Sequence, residues 1–174
     1  MTADARDYVA SETLRNGLQV TVRALRPDDR DRVAAAVRGL DRESIYLRLF
    51  SYRNELTDAA LDRIMRFDTA SEVVLLAVTG EERVIGSGRY VASSQHHAEI
   101  AFMVDEDFHG QGIASRLLRH LATVATMQGI RTFEADVLAD NKAMLTVFAR
   151  TGWPMTKTRE GDVIHVKLAL TAVS

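Results

Sequence analysis

The sequence predicts an α/β (α+β) fold built on a mixed, mostly antiparallel central sheet of roughly six or seven strands flanked by about four helices. Three runs with strand character, Val73–Val78, Arg83–Ala92 and Ala98–Val104, follow one another across short joins, "TGEE" and "SSQHH", as antiparallel neighbours do. The stretch "FMVDEDFHGQGIASRLLRHL", Phe102–Leu121, then reads as strand, charged bend, small-residue loop and amphipathic helix, and a further strand follows it. Such a strand-helix-strand unit is expected to be parallel and right-handed. No repeat, low-complexity tract or Pro/Gly/Ser-rich linker divides the chain, so residues 1–174 are expected to form one domain.

Each element has a local reason. "LQVTVRAL", Leu18–Leu25, alternates β-branched and polar residues, and "RPDDRDRVAAAVRGL" after it is a helix started by Pro27 and an acidic first turn. "LTDAALDRIMRF" is a second helix that Thr57 or Asp58 could cap. Ile113, Leu117, Leu121 and Val124, with Leu118 and Ala125 beside them, give the helix over Ile113–Met127 one apolar face, and Gly129 ends it. "TFEADVL" is a strand, "NKAMLTVFART" a helix stopped by Gly152, and the tail carries strands around the turn "REGD".

Composition narrows the function. With 174 residues, 47% of them apolar and 26% charged, the chain has the make-up of one folded domain with a substantial core rather than a disordered segment. A formal net charge of −2 gives no global attraction to nucleic acid or an anionic membrane, so neither is expected as a partner. The absence of cysteine excludes disulfides, thiolate metal sites and a cysteine nucleophile. The amino terminus lacks a secretory pattern and no apolar run approaches membrane-spanning length, which predicts a soluble, cytoplasmic protein.

The small-residue loop is the first candidate site. A helix that begins on backbone stripped of side chains presents unpaired N–H groups at the positive end of its dipole, a setting that binds phosphate. Gly110, Gly112 and Ala114 let a ligand approach the main chain, and Gln111 and Ser115 could add side-chain donors. The plain alternative is a tight turn into a helix. No Gly-x-x-x-x-Gly-Lys-Ser/Thr string exists, which removes a P-loop. A dinucleotide fingerprint fits poorly: Ser115 stands at the third glycine, and "DEDFH" separates the strand from the loop.

The string His109-Gly110-Gln111-Gly112-Ile113-Ala114 resembles the Gln/Arg-x-x-Gly-x-Gly/Ala pyrophosphate loop of the GNAT superfamily of acyl-coenzyme A N-acyltransferases, departing only at His109. "AEIAFMV", "VLADNKAMLTVFARTGW" and the opening "RALRPDD" resemble the family's segments in the same order, so the likeness covers nearly the whole chain. It implies a GNAT-like sheet, acetyl-CoA as co-substrate, no metal, and a cofactor contact at Ile113 as well as at the loop.

Acetyl transfer to an amine needs a base, because an alkyl amine with a pKa of about 10.4 is mostly protonated at neutral pH. Glu99 lies in an apolar run, where desolvation would raise its pKa; the alternative is a solvated or ion-paired carboxylate. It matches the glutamate of protein-acetylating members, which implies a catalytic base. The resemblance further implies that main-chain groups of Met103 and Val104 face the pantetheine arm and the thioester, and that Asn141, a helix cap on its local pattern, contacts the same arm. Where many members carry a tyrosine acid, this chain has Phe148. Glu134 and Asp136 are second-choice carboxylates. His96 and His97 lack a third metal ligand at suitable spacing, and Arg116, Arg119 and His120 either reach the phosphates or form a solvated face.

"LDRESIYLRLF", Leu40–Phe50, resembles a segment of bacterial protein lysine acetyltransferases that modify acyl-CoA synthetases, departing at Leu49. The favoured acceptor is therefore a protein lysine, with such a synthetase as a possible partner. A small-amine acetyltransferase and a non-catalytic acyl-CoA sensor are the alternatives, and the chain is expected to be a monomer or homodimer.

Overall fold

A computed structural model describes residues 7–38, 65, 71–105, 108 and 110–170. Eight strands form one sheet: β1 (Val9–Thr13), β2 (Gln19–Ala24), β3 (Glu72–Thr79), β4 (Val84–Ala92), β5 (His97–Val104), β6 (Thr132–Leu138), β7 (Met155–Glu160) and β8 (Val163–Ala169). Their order across the sheet is β1-β2-β3-β4-β5-β6-β8-β7. Three α-helices are described, α1 (Arg30–Arg38), α2 (Ile113–Met127) and α3 (Lys142–Ala149), with a 3-10 turn at Pro27–Asp29 leading into α1. The expected strand count was low because β1, five residues long with alternate positions exposed, has too little apolar patterning to declare itself. The helix expected over "LTDAALDRIMRF" lies outside the described residues apart from Met65, as do the Leu40–Phe50 segment and His109.

The sheet has a core on each face. On one, Ile113, Leu117, Leu118, Leu121 and Ala125 of α2 bury against Leu75, Tyr90, Ile100 and Phe133. Two glycines of β4 make that packing possible. A Cβ on Gly86 would stand 2.8 Å from Ile113 Cγ2, and one on Gly88 2.9 Å from Leu121 Cδ1. On the other face Val33 and Ala34 of α1 pack with Val74, Leu76, Val84 and Met103. A buried ion pair fixes the entry to α1: Arg23 Nη1 and Nη2 donate to Asp29 Oδ2 and Oδ1 at 2.8 and 2.7 Å, and the Arg26 N–H donates to Oδ2 at 2.7 Å.

α2 stops where Gly129 takes a φ of 88°, open to glycine at little cost. The N–H groups of Gly129 and Ile130 donate back to the Thr126 and Ala125 carbonyls at 3.2 and 2.9 Å, the double bond of a Schellman ending. Every sheet neighbour pair is antiparallel except β5 and β6, the parallel pair expected on either side of α2. That parallel ladder pairs only His97–Glu99 with Thr132–Glu134. Beyond it β5 stays with β4 to Val104 while β6 stays with β8 to Leu138, so the two strands part after Glu99 and Glu134.

Candidate active site

Where β5 and β6 part, a cleft of about 390 Å³ opens between the head of α2 and one side of α3. Phe102, Met103 and Val104 form its strand wall, Gly110, Gly112, Ile113, Ala114 and Ser115 its loop wall, and Asn141, Met144 and Val147 its helix wall. Phe108 completes the bend, its ring under the Arg83 guanidinium, which also pairs with Asp105 at 2.6 Å.

The loop wall has the chemistry of an anion cradle. Gly110 and Gly112 both hold positive φ, 82° and 84°, and Gly112 caps α2 with no side-chain hydrogen bond to its orphan donors. The first backbone bond of the helix is Arg116 N–H to the Gly112 carbonyl, which leaves the N–H groups of Ile113, Ala114 and Ser115 without intrahelical acceptors. Among the described residues, chain neighbours aside, no atom lies within 4 Å of a Cβ built on Gly110, so a ligand can approach the main chain there. A pyrophosphate suits this donor set. Gln111 is placed differently from the expected donor: it does not line the cleft, and its Oε1 is buried without a hydrogen-bond partner.

The loop is braced from behind by arginine. Arg116 Nη1 donates to the Gln111 and Gly112 carbonyls, both at 3.1 Å, while its Nη2 donates to the Thr13 carbonyl at 2.9 Å. A Cβ on Gly112 would displace the guanidinium end of Arg116, a flexible side chain that can give way, so it is the positive φ that calls for glycine there. His120 is committed to the same hairpin: its ring nitrogens meet Tyr8 Oη at 2.5 Å and Glu12 Oε1 at 3.0 Å. Burial, followed by the nearby Glu12 charge, pushes the Tyr8 phenol up, which keeps it a neutral partner for the imidazole. Neither Arg116 nor His120 lines the cleft, and Arg119 is exposed.

Asn141 caps α3, its Oδ1 accepting from the Met144 N–H at 3.2 Å, and it also lines the cleft. Phe148 does not line it. Its ring is 1% exposed and lies in the core under α2, because Met144 and Val147 take the cleft side of α3.

Glu99 is exposed, not desolvated as its apolar run suggested. Alternation explains the difference: the neighbours Ala98 and Ile100 point to the α2 face, and Glu99 points to the opposite one beside Glu134. It stands at the last paired position before the strands diverge and does not line the cleft. Glu134 is held among Lys167 Nζ at 3.6 Å, His165 Nε2 at 3.7 Å and His97 Nδ1 at 4.0 Å. The His165 Nδ1 lies 2.7 Å from Asp136, and that hydrogen bond raises the imidazole pKa. His96 turns away to the Gly129 carbonyl at 3.0 Å. Among the described residues no group of three or more His, Cys, Asp or Glu side chains is arranged to hold a metal ion, and no helix is long and apolar enough to cross a membrane.

Sequence reasoning missed Arg15. It sits on the β1–β2 turn, lines the cleft and donates from Nη1 to the Gly110 carbonyl at 3.1 Å, across 95 positions of sequence. No local pattern could have joined them.

A family model described as acetyltransferase (GNAT) family matches residues 41–153. The acetyltransferase PA5475 of Pseudomonas aeruginosa is 30% identical over 165 residues, covering 91% of this chain and 88% of that protein. Acetyltransferase Pat of Mycolicibacterium smegmatis is 32% identical over 142 residues, covering 80% of this chain but only 42% of that longer protein. The crystal structure of the GNAT domain of S. lividans PAT superposes with a TM-score of 0.85 at 32% identity, covering 93% of this chain and 97% of that one.

Proposed function

The chain belongs to the acetyltransferase (GNAT) family, and from that membership we propose that it transfers acetyl from acetyl-CoA to a primary amine, with a protein lysine as the favoured acceptor. The observation that carries the reading is the uncapped head of α2, with three unpaired N–H groups, opening into a cleft at the point where β5 and β6 part. Gly110 and Gly112–Ser115 would hold the pyrophosphate, and Asn141, Met103 and Val104 the pantetheine arm. Acetyl-CoA supplies the activated acyl carbon.

The residues of the chain then supply position and a proton acceptor. The acceptor nitrogen forms a bond to the acyl carbon, the carbon–sulfur bond breaks with its electron pair leaving on sulfur, and the proton lost by nitrogen goes to Glu99. Glu99 and Met103 share one face of β5 at a separation of about 13 Å along the strand, so we assign the proton path from the cleft to Glu99 to ordered water. A main-chain N–H in the Met103–Val104 wall would stabilise charge on the acyl oxygen.

Support for lysine over a small amine comes from the resemblance of Leu40–Phe50 to protein lysine acetyltransferases and from the likeness to Pat and S. lividans PAT. An acyl-CoA synthetase is the protein acceptor to try first. A second reading, acyl-CoA binding without turnover, is favoured by Phe148, whose buried ring offers no proton to a departing thiolate. The test is thiol release from acetyl-CoA by wild type and Glu99→Gln over a panel of an acyl-CoA synthetase, lysine peptides and small amines. Release on protein or peptide that the variant loses supports the proposal. Release on small amines alone moves the acceptor, and binding with no release on any amine favours the sensor.

A further inference from the structure

We propose that Arg15, on the β1–β2 turn, is a direct ligand of the pyrophosphate of bound acyl-CoA, which makes the N-terminal hairpin one wall of the cofactor site. The inference rests on the acyl-CoA reading above and adds to it a residue far outside the loop motif. Two arginines reach the loop, Arg116 from α2 and Arg15 from the β1–β2 turn, and they differ in what they have left to give.

Arg116 is spent on structure. Its guanidinium serves the carbonyls of Thr13, Gln111 and Gly112 and lies 3.9 Å from Glu12. Arg15 makes one hydrogen bond, to the Gly110 carbonyl, and its side chain is exposed on the cleft rim. Among the described residues no carboxylate pairs with it, since the nearby Glu12 is taken by His120 and Arg116. A guanidinium has five N–H donors in a planar fork, so most of its hydrogen-bonding capacity and its whole charge remain for an anion.

The hairpin is fixed well enough to present that charge. The Leu14 and Gly17 N–H groups close the turn on the Leu18 and Leu14 carbonyls at 2.8 and 2.9 Å, and Gly17 takes a φ of 85°. Tyr8 and Glu12 then clamp His120, and Arg116 binds Thr13, so β1 and the residue before it are tied to α2 at three points. The Arg15 Nε lies 3.7 Å from the position a Gly112 Cβ would take, beside the uncapped end of the helix. A cation there adds to the helix dipole on the same side of the same ligand.

The test is calorimetric titration of wild type, Arg15→Gln and Arg15→Lys with CoA and with dephospho-CoA, at low and high ionic strength. Glutamine keeps a donor for the Gly110 carbonyl and removes the charge. The expected result is binding about tenfold weaker in Arg15→Gln for both ligands, with the gap narrowing at high salt and most of the loss recovered in Arg15→Lys. A loss equal at both salt concentrations would mean a neutral brace, a loss confined to CoA would move the contact to the 3′-phosphate, and no loss would remove the contact; each overturns the assignment. Failure of the wild type itself to bind CoA is a separate result, which overturns the acyl-CoA reading and this inference with it.

Discussion

On the side of β5 that carries Ile100 and Phe102, the neighbours are apolar and α2 lies so close that Gly86 and Gly88 have no room for a Cβ. On the side that carries Glu99, charged groups stand in rows across the strands: Glu99 beside Glu134 beside Lys167, Asp136 beside His165, and Arg89 paired with Glu72. The first face is a dry platform that aims the head of α2 into the cleft. The second leaves its carboxylate in solvent. With Glu99 as the proposed base, one strand would carry rigid positioning on one side and proton transfer on the other, and substitutions on the two sides are expected to fail differently.

The largest effect belongs to Glu99. Glu99→Gln should lower kcat by about 10²–10⁴-fold, the usual contribution of a positioned base, and leave the CoA dissociation constant unchanged. An equal loss in binding would place Glu99 in the cofactor site and blur the division between faces. Next comes the buried pair at the entry to α1. Asp29 is fully buried; burial alone would raise its pKa, but the Arg23 and Arg26 hydrogen bonds outweigh it and hold the carboxyl below its ordinary range. Asp29→Ala leaves the Arg23 charge buried and should cost about 3–5 kcal/mol in chemical denaturation. A cost below about 1 kcal/mol, the range of exposed pairs, would show that water replaces the carboxylate.

The dry face gives a smaller effect of another kind. Gly86→Ala puts a methyl 2.8 Å from Ile113 Cγ2, so the first turn of α2 must move, at about 1–3 kcal/mol for overpacking. The KM for acetyl-CoA should rise with kcat little changed, the reverse of Glu99→Gln. Ile113→Ala in the same chain removes the colliding atom and should restore KM; if it does not, the glycine serves the strand and not the helix above it.

Those two sides were unequally legible in the sequence. The limits of α2 and β6 and the parallel unit between them followed from periodicity and from Gly112 and Gly129, because capping and amphipathicity are local. The surroundings of Glu99 did not follow. Its neighbours in sequence are apolar, but strand alternation sends them to the other face, and its neighbours in space come from β6 and β8. Arg15 and Arg116 lay further out of reach, since their partners Gly110 and Thr13 are 95 and 103 positions away. Phe148 shows the opposite limit: the motif position was visible, but only packing reveals that the ring belongs to the core.

The smallest effect tests whether the charged face contributes stability at all. Hydrogen bonding to Asp136 is the main cause of the raised His165 pKa, opposed by partial burial and helped by the charges of Asp136 and Glu134. A histidine whose folded-state pKa lies above the ordinary 6.5 stabilises the fold most fully below that value and loses the contribution as pH rises through the folded-state pKa. Because the imidazole is 39% exposed, solvent screening holds the effect to about 0.2–0.5 kcal/mol. Denaturation midpoints of wild type and His165→Gln should therefore separate slightly at about pH 5.5, wild type higher, and converge by about pH 8. Separation that persists or grows at the higher pH would mean that neutral His165 holds Asp136 by an ordinary hydrogen bond. The charged rows on this face would then be solvated neighbours of Glu99, with no electrostatic hold on the strands that carry it.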